Sequence, residues 1–139
     1  YTAPTAFGEF TIKFPKSWSS SVAENQTSTN QVELIANPEF IKILPNNTVN
    51  YALRVMLVNS SYSNVRAQYD QQVKNKKAKT SAVKVSGIDG ARYEGEFKQG
   101  KSGIAVLVPV RDKTVVFTTE NTKYQPEFEA TLTQSTIKP

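Results

Sequence analysis

The sequence predicts an α+β fold: a mainly antiparallel sheet with one helix inserted mid-chain and one closing the C-terminus. Three patterns carry that expectation. Phe10, Ile12 and Phe14 alternate with Thr11 and Lys13, and Ala91, Tyr93, Gly95 and Phe97 alternate with Arg92, Glu94, Glu96 and Lys98. A period of two marks strands with one buried face. Tyr62, Val65, Tyr69 and Val73 instead recur at i, i+3, i+7 and i+11, the single apolar stripe of a helix. Pro126 stands where a first helical turn tolerates proline, just ahead of Phe128 and Leu132.

Taken in order, the opening strand ends at Pro15, which lacks a ladder N–H and restricts the residue before it. Trp18, the only tryptophan, follows three residues later, where it can fold back over the strand end as a core residue. Residues 17–30 read as a polar loop. Val32, Leu34 and Ala36 alternate in a short strand that stops at Asn37-Pro38, and Phe40, Ile41, Ile43 and Leu44 form an apolar patch cut by the Pro45-Asn46-Asn47 turn. Residues 51–58 are almost continuously apolar, as a strand buried on both faces would be. Ser60 or Ser61 can cap a helix over residues 62–77. Val83 and Val85 lead into a turn at Gly87-Ile88-Asp89-Gly90, and the 91–98 strand is followed by a hairpin loop at residues 99–103. Residues 104–110 read as another buried strand, with Pro109 implying an edge or a bulge. Arg111-Asp112-Lys113 then turns the chain into a strand over 115–119. In the last helix Phe128, Leu132 and Ile137 are expected to face inward.

The 139 residues suit one domain with a single core. Residues 1–7, small and proline-containing, are expected to be a linker or tether remnant, and residues 8–139 one domain. Hydrophobic residues make up only 38%, and 10 Asn, 12 Ser and 14 Thr give a polar surface; seven Phe and six Tyr still supply the mass of a packed core. The polar surface and linker-like start favour an extracytoplasmic location, at the cell surface or in the periplasm, with the chain tethered to a membrane in its full-length form. No 18-residue apolar run occurs, so no membrane-spanning helix is expected within it. Sequons at Asn25, Asn46 and Asn59 are about as many as this Asn, Ser and Thr content produces by chance.

Zero Cys excludes disulfides, thiol catalysis and thiolate metal sites. Zero His removes the usual general base near neutral pH and the imidazole ligand. No G-x-S-x-G, S-x-x-K, P-loop or G-x-G-x-x-G occurs, and Gly100-Lys101-Ser102 lacks the upstream glycine of a phosphate loop. Glu94 and Glu96 would hold their carboxylates roughly 7 Å apart on one strand face, a separation that retaining glycosidases use across a cleft. Arg92 and Lys98 flank them, however, as in an exposed ladder of alternating charge. Asp89 lacks the spacing of a calcium loop. No catalytic, cofactor-binding or metal-ligating residue is therefore assigned, and no cofactor. One cluster stands out. Lys74, Lys76, Lys77, Lys79 and Lys84 fall within a stretch free of acid, in a chain of net charge +5. A helix dipole accounts for cations at a helix C-terminus. The same five lysines are the candidate contact with an anionic partner, whether phospholipid headgroups, wall polymer or an acidic protein. Nucleic acid is not expected as a partner, because Tyr62 and Tyr69 belong to the helix stripe and no nucleic-acid module signature occurs.

Three stretches together resemble the PsbP-like superfamily, which includes the extrinsic PsbP subunit of photosystem II and DcrB-type extracytoplasmic lipoproteins. They are Phe10-Thr-Ile-Lys-Phe-Pro-Lys-Ser-Trp18, Val85-Ser-Gly-Ile-Asp-Gly-Ala-Arg-Tyr93 leading into a hairpin, and the terminal Phe128-x-x-x-Leu132 helix. The resemblance implies a small α/β/α sandwich, export from the cytoplasm, and docking or assembly in place of catalysis. Metal binding in the plant branch relies partly on histidine, so it does not carry over. The functional expectation is a non-catalytic extracytoplasmic binding or assembly domain, the soluble part of a membrane-anchored protein or lipoprotein. Its expected partner is a protein or a cell-envelope component. Two alternatives stay open: a carboxylate-dependent enzyme on an extracellular polymer, and a basic module docking on anionic lipid or wall polymer.

Overall fold

A computed structural model describes residues 1–3, 9–25, 29–37, 52–75, 78–98, 101–120 and 122–138. Within them the chain runs β1 (Glu9–Thr11), β2 (Ser19–Glu24), β3 (Asn30–Asn37), β4 (Leu53–Val58), α1 (Tyr62–Lys74), β5 (Ala78–Val85), β6 (Ile88–Lys98), β7 (Lys101–Val110) and β8 (Lys113–Thr119). A 3-10 turn (Thr122–Tyr124), α2 (Gln125–Gln134) and β9 (Thr136–Lys138) complete it. Seven strands form one sheet in the order β2-β3-β4-β8-β7-β6-β5, while β1 and β9 pair separately. Every one of these pairings is antiparallel.

Alternation sorts the strand side chains onto two faces. In β7, Ile104, Val106, Val108 and Val110 point one way and Ala105 and Leu107 the other; β8 splits Val115 and Phe117 from Val116 in the same manner. The first face packs beneath α2 and the β1–β9 pair, through Phe128, Leu132, Phe10, Ile12 and Ile137. The second packs beneath α1, through Val65 with Tyr62, Tyr69 and Val73 beside it. The architecture is an α/β/α sandwich, as expected. Each fully buried Leu, Ile or Phe in these layers contributes roughly 1.5–3 kcal/mol.

Helix α1 starts at the expected cap: the Ser61 hydroxyl accepts from the Asn64 backbone N–H at 3.2 Å, satisfying one of the free donors of the first turn. It stops at Lys74, earlier than the expected 77. Helix α2 carries Pro126 in its first turn, as expected, and buries Phe128 and Leu132.

Several expectations are corrected. Residues 17–30 are not all loop, because Ser19–Glu24 is β2, the outermost strand, with all six residues exposed. An edge strand held by backbone hydrogen bonds on one side and buried on neither face needs no apolar alternation, so the sequence shows none. The opening strand is only Glu9–Thr11, and it pairs with β9 outside the main sheet. Ile137 is buried, but in β9 and not in α2. The β5–β6 turn is Ser86-Gly87, both with positive φ, the left-handed backbone that tight hairpins favour; Ile88–Gly90 already belong to β6. Lys101–Gly103 are in β7. β4 alternates between buried and half-buried residues, so only one of its faces is fully covered. Pro109 lies beyond Leu107, where the β6–β7 register ends, so at that point β7 is paired only with β8. The apolar patch at residues 40–44 and the turn at 45–47 lie outside the described residues.

Tyr1–Ala3, within the stretch expected to be linker, run beside β1. The Ala3 N–H donates to Phe10 O at 3.0 Å and the Ile12 N–H to Tyr1 O at 2.7 Å, and Ala3 is buried.

Candidate binding surface

Strand register defines one end of the seven-stranded sheet. Ser19 pairs with Asn37, Ala36 with Leu53, Arg54 with Thr118, Ile104 with Thr119, Gly95 with Gly103 and Ala78 with Gly95. A single row of residues thus crosses the sheet from β2 to β5. Beyond it lie the 15–18 turn, the 120–124 segment, the β6–β7 hairpin and the C-terminus of α1. Lys16, Lys74, Lys98, Lys101 and Lys123 belong to these segments, with Glu96, Glu120 and, in the adjoining first turn of α2, Glu127 the acids among the described residues.

Three of the five expected lysines, Lys74, Lys79 and Lys84, lie among the described residues. Lys74 is exposed in the last turn of α1. Lys79 is exposed on β5, directly across from Glu94. Lys84 lies at the far end of β5 and on the opposite face, because alternation separates it from Lys79. Its ammonium is 3.7 Å from the Asp89 carboxylate, and both side chains are largely in water. Lys76 and Lys77 lie outside the described residues.

Two aromatic residues at the same end were not paired by the sequence. Trp18 and Tyr124 meet edge to face, with ring centroids 5.7 Å apart and planes at 77°, an arrangement that suits the ring quadrupoles. Both are half-buried, and Trp18 packs on the core beneath α2. The Trp18 backbone N–H donates to Pro15 O at 3.0 Å, closing a turn that leaves Lys16 exposed at its tip. The Lys123 ammonium lies 5.6 Å from the Tyr124 ring centroid, within reach of a cation–π attraction. A cation adjoining an aromatic residue at both Lys16-Ser17-Trp18 and Lys123-Tyr124 is the only sequence signal for this site. Joining them requires the topology, which returns the chain from β8 to the start of β2.

The carboxylates are engaged elsewhere. Arg92, on the α2 side of β6, donates from Nε to Glu94 Oε1 at 2.6 Å and from Nη1 to Glu129 Oε2 at 3.1 Å, with Nη2 on Glu129 Oε1 closing a bidentate pair. The Glu129 carboxylate, then Glu94, holds the guanidinium's pKa above its ordinary value, with burial opposing. Glu94 therefore serves as one end of a strand-to-helix ion bridge. On the other face the Tyr93 hydroxyl donates to Asp70 Oδ1 at 2.6 Å. Burial, reinforced by Asp70, pushes the Tyr93 phenol up, and burial does the same to Tyr69 against an opposing effect of Arg54. Asp89, the residue weighed for calcium, faces Lys84.

Compared with solved structures, the chain is similar to the solution structure of cyanobacterial PsbP (CyanoP) from Synechocystis sp. PCC 6803. The TM-score is 0.56, covering 99% of this chain and 91% of that one. The fold is PsbP-like. At 11% identity, the likeness is one of backbone, and the PsbP-like scaffold carries surface residues of its own here. No family model matches the sequence, and no curated protein matches it.

Proposed function

We propose that this chain is a non-catalytic, extracytoplasmic binding or assembly domain, the soluble part of a membrane-anchored protein or lipoprotein, and that it engages a protein or another cell-envelope component. The observation that carries the reading is the Arg92 bridge. A glycosidase-type mechanism needs one carboxyl held protonated in an apolar pocket and a second free to attack or to activate water. Glu94 of the Glu94/Glu96 pair is instead ion-paired to Arg92, half in water and tied through it to α2. The PsbP-like backbone adds support, since docking and assembly are what the sequence resemblance to that superfamily implies. The polar, Asn/Ser/Thr-rich composition supports a location outside the cytoplasm.

The test is cross-linking of the full-length protein in its native membranes, followed by reconstitution with each purified candidate partner. A stoichiometric complex that re-forms from pure components is the expected result. Hydrolysis of an envelope polymer by the pure protein, abolished in Glu94→Gln, would overturn the reading in favour of an enzyme.

A further inference from the structure

Building on that reading of a binding domain, we infer that the sheet end bearing Trp18 and Tyr124 docks on the surface of an anionic phospholipid bilayer. The two side chains are of the kind that settles at headgroup depth, each with an apolar ring and a polar N–H or O–H. They lie half-buried at the rim, in contact with each other. Lys16 and Lys123 are exposed beside them.

Charge divides between the two ends of the sheet. Beyond the Ser19–Ala78 row the described segments carry five lysines (Lys16, Lys74, Lys98, Lys101 and Lys123) against three acids, Glu96, Glu120 and, in the first turn of α2, Glu127. At the opposite end Lys84, Arg111 and Lys113 are matched by Glu24, Asp89 and Asp112. The first end is therefore cationic and the second balanced.

The spread of the cations points to a plane. Lys16 adjoins β2 and Lys74 precedes β5, the two edges of a seven-stranded sheet, which adjacent-strand spacing puts roughly 29 Å apart. A flat anionic surface meets both at once. A bilayer is favoured over a soluble polyanion because only a bilayer gives the Trp18 and Tyr124 rings an apolar boundary to enter.

Trp18 is the only tryptophan, so its fluorescence reports on this end alone. Vesicles of phosphatidylglycerol mixed into phosphatidylcholine should co-sediment the protein and shift Trp18 emission to the blue, whereas pure phosphatidylcholine vesicles should do neither. Lysines near an anionic surface each contribute about fivefold in affinity, so Lys16→Glu combined with Lys123→Glu should cut partitioning roughly 25-fold or more, and high salt should act similarly. Both positions are exposed, so the variant keeps its fold. Lys84→Glu, at the balanced end, should leave partitioning unchanged. The inference is overturned by the absence of co-sedimentation, by binding without a Trp18 shift, by an undiminished Lys16/Lys123 variant, or by a soluble polyanion reproducing the full shift. A protein complex that reconstitutes while vesicles leave Trp18 unshifted would remove the docking and leave the binding-domain reading intact.

Discussion

Tyr93 is fully buried against α1 with its hydroxyl on Asp70, and it ties the polar chemistry of one residue to the stability of the whole chain. The phenols of Tyr93 and Tyr69 are both raised above their ordinary value. Their contribution to stability is complete below the unfolded-state value of about 10 and is lost as pH climbs from there through the folded-state values. Stability should therefore fall in alkaline solution. Tyr93→Phe should flatten that fall while costing about 1 kcal/mol at neutral pH, because the Asp70 carboxylate is part-exposed and can rehydrate. Urea midpoints of both proteins across the alkaline range check it; parallel profiles would rule out Tyr93 as a cause. Gly90 gives a second expectation. A Cβ there would stand 2.3 Å from the Leu107 carbonyl oxygen, so Gly90→Ala should destabilise by about 1–3 kcal/mol, read from its denaturation midpoint. The sequence marks Tyr93 as a core-facing strand residue but not its partner, because Asp70 comes from α1. It marks Gly90 as part of a turn, because a glycine in a turn and one required by close backbone approach look alike in a single sequence.

Helix α2 is fastened by two kinds of contact: Phe128 and Leu132 in the core, and the Arg92 bridge at its edge. The Arg92 side chain is only 15% exposed, whereas Glu94 and Glu129 are 53% and 42% exposed. Arg92→Ala thus removes a mostly buried cation from two carboxylates that can return to water, and the cost should be about 1–2 kcal/mol. Hydrogen exchange should quicken at the α2 amides and leave those of α1 unchanged. Equal acceleration in both helices would mean the bridge acts on global stability alone. Both helices were legible because a stripe every third or fourth residue needs no knowledge of what it packs against. β2 was not, since Ser-Ser-Ser-Val-Ala-Glu carries no buried face and is a strand only by virtue of β3. A run of lysines in sequence does not say which way each faces: strand alternation turns Lys79 and Lys84 to opposite faces. The Trp18–Tyr124 contact depends on strand order, which local patterns do not encode.

At the scale of the molecule, two apolar layers share one sheet, and this decides how the protein unfolds. Val106 and Leu107 are neighbours on β7, yet they belong to different clusters, one beneath α2 and one beneath α1. Neither layer can be lost without exposing a face of the strands that support the other, so a single cooperative transition is expected. Trp18 packs only on the α2 side, which makes it a reporter of that layer. Val65 is buried only on the α1 side. Val65→Ala should remove roughly 2 kcal/mol, equivalent to a fall of about 7 °C in Tm for a chain of this size. The fall should appear fully in Trp18 fluorescence, although the substitution lies across the sheet, and coincide with the far-ultraviolet dichroism transition. A Trp18 midpoint that stays put while the dichroism transition splits would show instead that the layers unfold separately. The PsbP-like scaffold would then be two stacked units and not one.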